Sequence, residues 1–221
     1  MSKNDSTQIV RQLKKEIEQV LTELRDKEYI RDENGISEKQ IGINEYKLSY
    51  SGKNDKSSIV YDKHISGSFI MEELLENRQY SFLMFDKSIV QAEFRIADGE
   101  IIKERLVFMK KHNRIWTKDE INYADSEDVD WFADEDGIPV FLRIDYDPEK
   151  HIECFHSKTH LTISNSDSCR IPIKDIVSFS EFMRFVLFHF YSYKLELSAS
   201  QKPSRETITD LEKKMIHLNW I

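Results

Sequence analysis

A chain of 221 residues is long enough to bury a substantial core in one domain. A composition of 39% hydrophobic and 33% charged residues, with only 6 Gly and 4 Pro, excludes a disordered or low-complexity protein. The net charge of −8 disfavours broad, non-specific attraction to nucleic acid unless a local basic patch overrides it.

The chain opens with Asn4, Asp5 and Ser6 as N-caps for a helix that carries Ile9, Val10, Leu13, Ile17, Val20, Leu21 and Leu24 on one stripe. Lys14, Lys15, Glu16, Glu18 and Glu23 form its solvated flank. From Lys27 to Asp55 the pattern weakens into loops and edge strands such as Tyr46 to Tyr50, punctuated by Gly35, Gly42 and Gly52. A strand over Ser57 to Tyr61 and a short helix from Ser68 to Glu76 follow, and Tyr80 to Phe85 reads as a buried strand. The clearest hairpin comes next. A three-residue loop, Asp98-Gly99-Glu100, sets Val90, Ala92, Phe94 and Ile96 opposite Phe108, Leu106, Glu104 and Ile102, with Glu93 facing Arg105 on the other side. Lys110, Lys111, His112 and Arg114 beside Trp116 read as the solvated end of a strand, with a nucleic-acid contact as the alternative. Asp119 to Asp136 holds nine acidic residues together with Trp131 and Phe132 but lacks the glycine placement and closing Glu of a calcium loop. It reads as a mobile surface excursion or a docking site for a basic partner.

The richest stretch runs from Val140 to Ile173 and contains three of the seven histidines. Strand side chains alternate faces, so Arg143, Asp145 and Asp147 share one face while Val140, Leu142, Ile144 and Tyr146 share the other. The same parity joins His156, Lys158, His160 and Thr162 and sends Phe155, Leu161 and Ile163 the opposite way; Arg170 falls opposite Cys169, Ile171 and Ile173. If these strands are neighbours, one sheet face gathers arginines, histidines, a lysine and carboxylates. The plain alternative is a solvated polar face on which Asp145 pairs with Arg143 or Arg170. Ser178-Phe-Ser-Glu181 is a capping box opening a helix to about Lys194, apolar almost all round and expected in the core. After Pro203, Ser204 caps a last helix with Ile208, Leu211, Met215 and Leu218. The expected fold is a single α+β domain over residues 1–221, with an antiparallel sheet of about six to eight strands on a buried C-terminal helix and an amphipathic N-terminal helix.

Metal-independent phosphodiester cleavage needs a base, an acid and cationic donors. His156 and His160 with Asp145 are the catalytic candidates, Asp145 orienting a ring or an arginine; Arg143, Lys158, Thr162 and Arg170 are the substrate-binding ones. On a regular strand the two histidines would stand roughly 13 Å apart, so Ser157-Lys158-Thr159 has to bend for both to reach one phosphate. His160-Leu-Thr-Ile163 resembles the His-x-Thr-hydrophobic motif of two-histidine phosphoesterases, but the second copy that family needs is represented only by His64-Ile-Ser-Gly67, with Gly where a hydrophobic residue belongs. Arg184 and His189 fit the Arg-x4-His pattern of HEPN ribonucleases, yet Phe185 follows the arginine and the helix is too apolar for an open site, so chance explains the match. His151, His156, His160, Asp145 and Asp147 carry no recognised metal spacing such as HExxH, and Gly-rich phosphate loops and dinucleotide fingerprints are absent, so no metal or cofactor is expected.

Cys154 and Cys169 are too few for a disulfide framework and lack CxxC spacing, no apolar run approaches roughly 18 residues, and no export pattern stands at the start; a cytoplasmic, membrane-free protein is expected. Ala97-Asp-Gly99, Arg105 to His112, Leu142 to Pro148, His156, Thr159-His-Leu161, Cys169-Arg-Ile-Pro172 and Phe185 to Tyr191 together resemble a bacterial domain-of-unknown-function family, DUF2290-like. That resemblance covers most of the chain and implies a single domain without supplying an activity. The expected function is a phosphodiesterase-like action on RNA or a nucleotide through the His/Arg face. The alternative is a non-enzymatic interaction subunit of a bacterial defence or toxin-antitoxin assembly, binding a protein through the acidic segment or the N-terminal stripe. An enzyme requires the histidines to converge in a concave pocket, whereas an interaction subunit requires an exposed apolar patch.

Overall fold

The three-four spacing of apolar residues near the start does produce a helix, α1 (Ser6–Asp26), and its stripe of Val10, Leu13, Ile17, Val20, Leu21 and Leu24 is buried. That stripe therefore meets the chain's own core and is not open to a partner. Ser6 Oγ donates to the Asn44 carbonyl and accepts from the Gly99 N–H, tying the helix start to two strand turns. The structure, a computed structural model, describes residues 6–50, 67–111, 117–127, 140–164, 169–196 and 205–219. The caps Asn4 and Asp5, the strand expected over Ser57 to Tyr61, His64, residues 112–116, acidic residues 128–136 and Ser204 lie outside these.

Among the described residues nine strands make one antiparallel sheet: β1 (Ile30–Glu33), β2 (Ile36–Gly42), β3 (Glu45–Tyr50), β4 (Phe82–Met84), β5 (Ile89–Ala97), β6 (Glu100–Lys110), β7 (Val140–Tyr146), β8 (Thr159–Ile163) and β9 (Arg170–Pro172). The order is β1-β4-β5-β6-β7-β8-β9, and β3 pairs with the far half of β5 while β2 pairs with β3. The number exceeds expectation because an edge segment is split. Asn34 turns its side-chain amide onto the carbonyls of Arg78 and Tyr80, so the chain before it joins β4 and the chain after Gly35 joins β3.

The β5–β6 hairpin pairs Val90 with Phe108, Ala92 with Leu106, Glu93 with Arg105 and Phe94 with Glu104, as the alternation requires. Its loop differs from the three-residue expectation. A bulge between Arg95 and Ile96 leaves Ile102 over, pairs Ile96 with Ile101, and closes the hairpin with two residues, Asp98 and Gly99, both left-handed at φ 51 and 75. The positive φ values suit a two-residue hairpin turn, and the bulge absorbs the odd residue without exchanging the faces further along.

Helix α4 (Phe179–Tyr191) opens on the expected capping box of Ser178 and Glu181. It joins α1 over one sheet face, where Val90, Phe94, Phe108, Leu142, Ile144 and Leu161 meet Phe179, Phe182 and Val186. The opposite face is covered at one end by α2 (Gly67–Glu76) and α3 (Lys118–Ser126), which bury Met71, Leu74, Ile121 and Ala124 with Ile89, Val107 and Met109. The first part of the acidic segment is thus a packed helix with a Thr117/Glu120 capping box.

Three further expectations change. Helix α4 is not buried all round, because Phe188 and His189 are exposed while Arg184 and Phe185 are half-buried. The last helix is absent among the described residues. Leu218 donates its N–H to Pro172 and accepts from Lys174, and Thr207 also donates to Lys174, so residues 205–219 hydrogen-bond along the chain beyond β9 and keep only a 3-10 turn at Glu212–Lys214. Lys110 and Lys111 are buried, not solvated. Lys110 pairs with the buried Asp86, whose carboxylate also accepts from the Tyr191 hydroxyl. Truncating Phe182, fully buried under the sheet, is expected to cost about 3–5 kcal/mol in Phe182→Ala, against under about 0.5 kcal/mol for the exposed Ile43→Ala; urea unfolding with constant slope checks both.

Candidate functional site

Strand β7 lies between β6 and β8, and the register sets out one face in rows. Asp145 stands between Arg105 and His160, and the row continues to Pro172; Arg143 stands between Val107 and Thr162, and that row continues to Arg170. In the next row Asp147 donates its N–H to the Lys158 carbonyl at 2.8 Å and binds Lys103 Nζ at 2.8 Å. The strands are neighbours, so the residues paired by parity do come together. This face is not a solvated one. Asp145 is 7% exposed and His160 1%, Arg143 and Thr162 are also buried, and Lys158, Arg170 and His156 are half-buried at the rim.

Asp145 is held by two guanidiniums: Arg105 Nε donates to Oδ1 at 2.9 Å and Arg143 Nε to Oδ2 at 2.5 Å. Burial alone pushes its carboxyl up, but Arg143 and Arg105 outweigh burial and hold it below its ordinary value. His160 Nδ1 donates to the Ser157 carbonyl at 2.9 Å, which leaves Nε2 as the side facing Asp145 Oδ2 at 3.8 Å. Burial drives the imidazole down to about 4, against the pull of Asp145 and the Ser157 carbonyl, so His160 is neutral at pH 7. Beside it, the buried Thr162 hydroxyl has no hydrogen-bond partner among the described residues. An orphaned polar atom between Arg143 and Arg170 is unusual in a packed sheet.

The histidines converge because the chain bends. Strand β8 begins only at Thr159, and residues 152–156 make a tight turn: Ile152 and His156 exchange N–H···O bonds at 2.9 and 2.7 Å, and Cys154 adopts a left-handed φ of 65. The His156 ring comes to 4.7 Å from the His160 ring, centroid to centroid. Its Nδ1 donates to the Lys150 carbonyl, leaving Nε2 with the lone pair. The turn is anchored by Glu212, fully buried, whose Oε1 accepts from Ser157 Oγ at 2.7 Å, His151 Nε2 at 3.3 Å and the Cys154 N–H at 3.4 Å, while Oε2 accepts from the Thr209 N–H at 2.9 Å. Burial raises the Glu212 carboxyl, and these donors together outweigh it and hold it below its ordinary value.

Arg105 and Glu212 were not among the site residues expected from the sequence. Arg105 was legible, because the hairpin already placed it on the face opposite Leu106 and Phe108, and carrying that register one strand further reaches Asp145. Nothing in the sequence announces Glu212, which acts across a gap of 55 residues. Among the described residues no group of three His, Cys, Asp or Glu is placed to hold a metal ion. Two surface cavities of about 400 Å³ lie elsewhere: one is lined by Lys14, Arg25 and Asn34 and the other by Arg31, Leu75 and Leu83, and neither takes a residue from the His/Arg face.

Two consequences are measurable. Asp145→Ala takes a shared carboxylate from two guanidiniums, one of them buried, and is expected to cost about 3–5 kcal/mol in chemical unfolding. The His160 imidazole binds its proton less tightly folded, at about 4, than unfolded, at the ordinary 6.5, so the unfolded state takes up protons first as pH falls. Stability is therefore complete above pH 6.5 and falls by about 3 kcal/mol toward pH 4. His160→Gln should flatten that slope in unfolding curves taken at half-unit pH steps; an unchanged slope would show that His160 is not its source.

No curated protein and no solved structure matches the chain, and no described helix is long and apolar enough to cross a membrane. A family model described as an uncharacterized conserved protein, DUF2290, matches residues 30–220, which include every strand and all of the His/Arg face. The chain belongs to the DUF2290 family.

Proposed function

We propose that the chain engages a phosphate-bearing ligand, RNA or a nucleotide, on the His/Arg face, with His156 as the group positioned for phosphodiester chemistry. The observation that carries this reading is a local charge surplus. On this face β6 to β9 and the segments next to them set Lys103, Arg105, Arg143, Lys158 and Arg170 against Asp145 and Asp147, with Glu93 of β5 beside Arg105 as a third carboxylate, five cations to three in a chain of net charge −8. Such a surplus against an acidic background selects an anion locally.

The roles differ by depth. Lys158 and Arg170, at the rim, meet the phosphate, and His156 Nε2 takes the proton from an attacking hydroxyl. As that oxygen bonds to phosphorus the leaving oxygen departs and takes a proton from water, and the hydroxide so formed takes back the proton held by His156. His160, at 1% exposure, and Asp145 support the His156 ring and the arginines from below and are positioning residues.

A second reading, a protein-binding subunit, is favoured by Ile152, Phe155, Leu211, Met215 and Ile216, large exposed apolar side chains on two segments that Glu212 holds together. Turnover of a labelled panel of RNA, single-stranded DNA and cyclic nucleotides, with and without EDTA, separates the readings. EDTA-resistant cleavage is expected, reduced roughly a hundredfold or more in His156→Ala with melting unchanged. Absence of turnover and of binding across the panel would remove the phosphate reading and leave the protein-binding one.

A further inference from the structure

The tip of the turn that carries His156 has an unusual build. Phe155 is 79% exposed and stands immediately before His156, and Ile152, across the turn, is also exposed. An exposed aromatic on a surface loop is ordinary when the loop is loose, but this one is fixed from several sides. Phe155 donates its own N–H to the Ile152 carbonyl at 3.0 Å, Ile152 and His156 close the turn by paired bonds, and the Cys154 N–H is held by buried Glu212. Cys154 carries the left-handed φ of 65 that lets the chain reverse there, a conformation disfavoured for a side chain with a Cβ and kept only where surrounding contacts impose it. The fold thus holds a large apolar ring in water at a defined place, one residue from the imidazole at the edge of the cationic face.

We propose that Phe155 is a stacking platform for a nucleobase and that the ligand of the His/Arg face is a single-stranded nucleic acid. The proposal rests on the phosphate-directed reading above and narrows it. Cations tracking a backbone beside an aromatic ring form the combination by which proteins hold single strands, since every base offers a π-face and every linkage a charge. A duplex keeps its bases stacked inside and has none to offer the ring. The charge pattern agrees, because the cations of this face lie within a few strand rows of a chain with net charge −8, which suits a short strand crossing one patch better than a long duplex.

The test is fluorescence anisotropy with the full-length chain and two labelled probes at one salt concentration: a ten-nucleotide oligouridylate, and a strand of the same length and linkage number built of abasic units. Phe155→Ala is expected to weaken the base-bearing probe roughly ten- to a hundredfold and leave the abasic one unchanged, with Phe155→Trp restoring the first. Arg170→Ala is expected to weaken both. If Phe155→Ala alters neither probe while Arg170→Ala weakens both, the platform is wrong and the phosphate reading stands. If wild type binds neither probe, both fall and the apolar tip is left as a protein-docking surface. Phe155 is exposed, so melting of the alanine variant should match wild type; a drop of several degrees with equal loss on both probes would also overturn the platform.

Discussion

One carboxylate sets the arrangement of half the sheet. Asp145 sits at the centre of a three-strand span, with Arg105 from β6 and Arg143 from its own strand on its two oxygens and His160 of β8 beside it. Two helices cover one end of this sheet face with apolar side chains, and at the other end ionic contacts do the covering. Burying such a group is costly, and its attraction to its partners does little more than offset the desolvation. What the arrangement secures is register. Slipping β7 by one residue would turn Arg143 and Asp145 into the core under α1 and α4 and bring Leu142 and Ile144 to the polar face, so the correct pairing is the one in which Asp145 meets Arg105 and Arg143.

The same logic recurs at two other places. Asp86 binds Lys110 and the Tyr191 hydroxyl where the end of β6 meets the end of α4, and Glu212 gathers donors from the turn at residues 151–157 and from Thr209. Each is a buried acid that joins elements distant in sequence. Glu212 matters most for the site, because it stops the turn from relaxing into a straight extension of β8. A straight strand would carry His156 away from His160. The close pair of imidazoles, with centroids 4.7 Å apart and planes tilted by 55°, is thus a product of an acid that belongs to neither strand.

How much could be read in advance follows from the range of each interaction. Strand faces depend on neighbouring residues only, so parity was enough to place Arg143, Asp145, His160, Thr162 and Arg170 together and to order most of the β5–β6 hairpin. Capping boxes are equally local: the one at Ser178 was legible, and the one at Thr117, with Glu120 three residues on, offered the same signal for α3 within a segment whose acidity suggested a loop. Depth is another matter. A polar strand face beside water and one sealed by ion pairs have the same alternation, and so Lys110, Lys111 and Asp145 gave no sign that they were buried. The final segment had a helical spacing of apolar residues, but hydrogen bonds from residues 172–174 captured its backbone instead. Tertiary hydrogen bonding overrode a pattern that was only a weak prior.

Depth also orders the chemistry. The His160 imidazole, held down at about 4, is neutral at pH 7 and only 1% exposed, so in the proposed chemistry it supports rather than contacts the substrate. The accessible groups are His156, Lys158 and Arg170, and all three stand on short connecting or edge segments braced by the rigid rows beneath. Functional groups on loops over a fixed scaffold are the common arrangement, because the scaffold supplies the geometry and the loop supplies access. Here the scaffold is itself ionic, so it contributes a field as well as a position. The guanidiniums beneath the rim bring positive charge through low-dielectric protein to the place where an anion would sit, and less of it is screened by salt than it would be from exposed lysines. On the proposed reading, such a face favours an anion at physiological ionic strength even in a chain whose overall charge repels it.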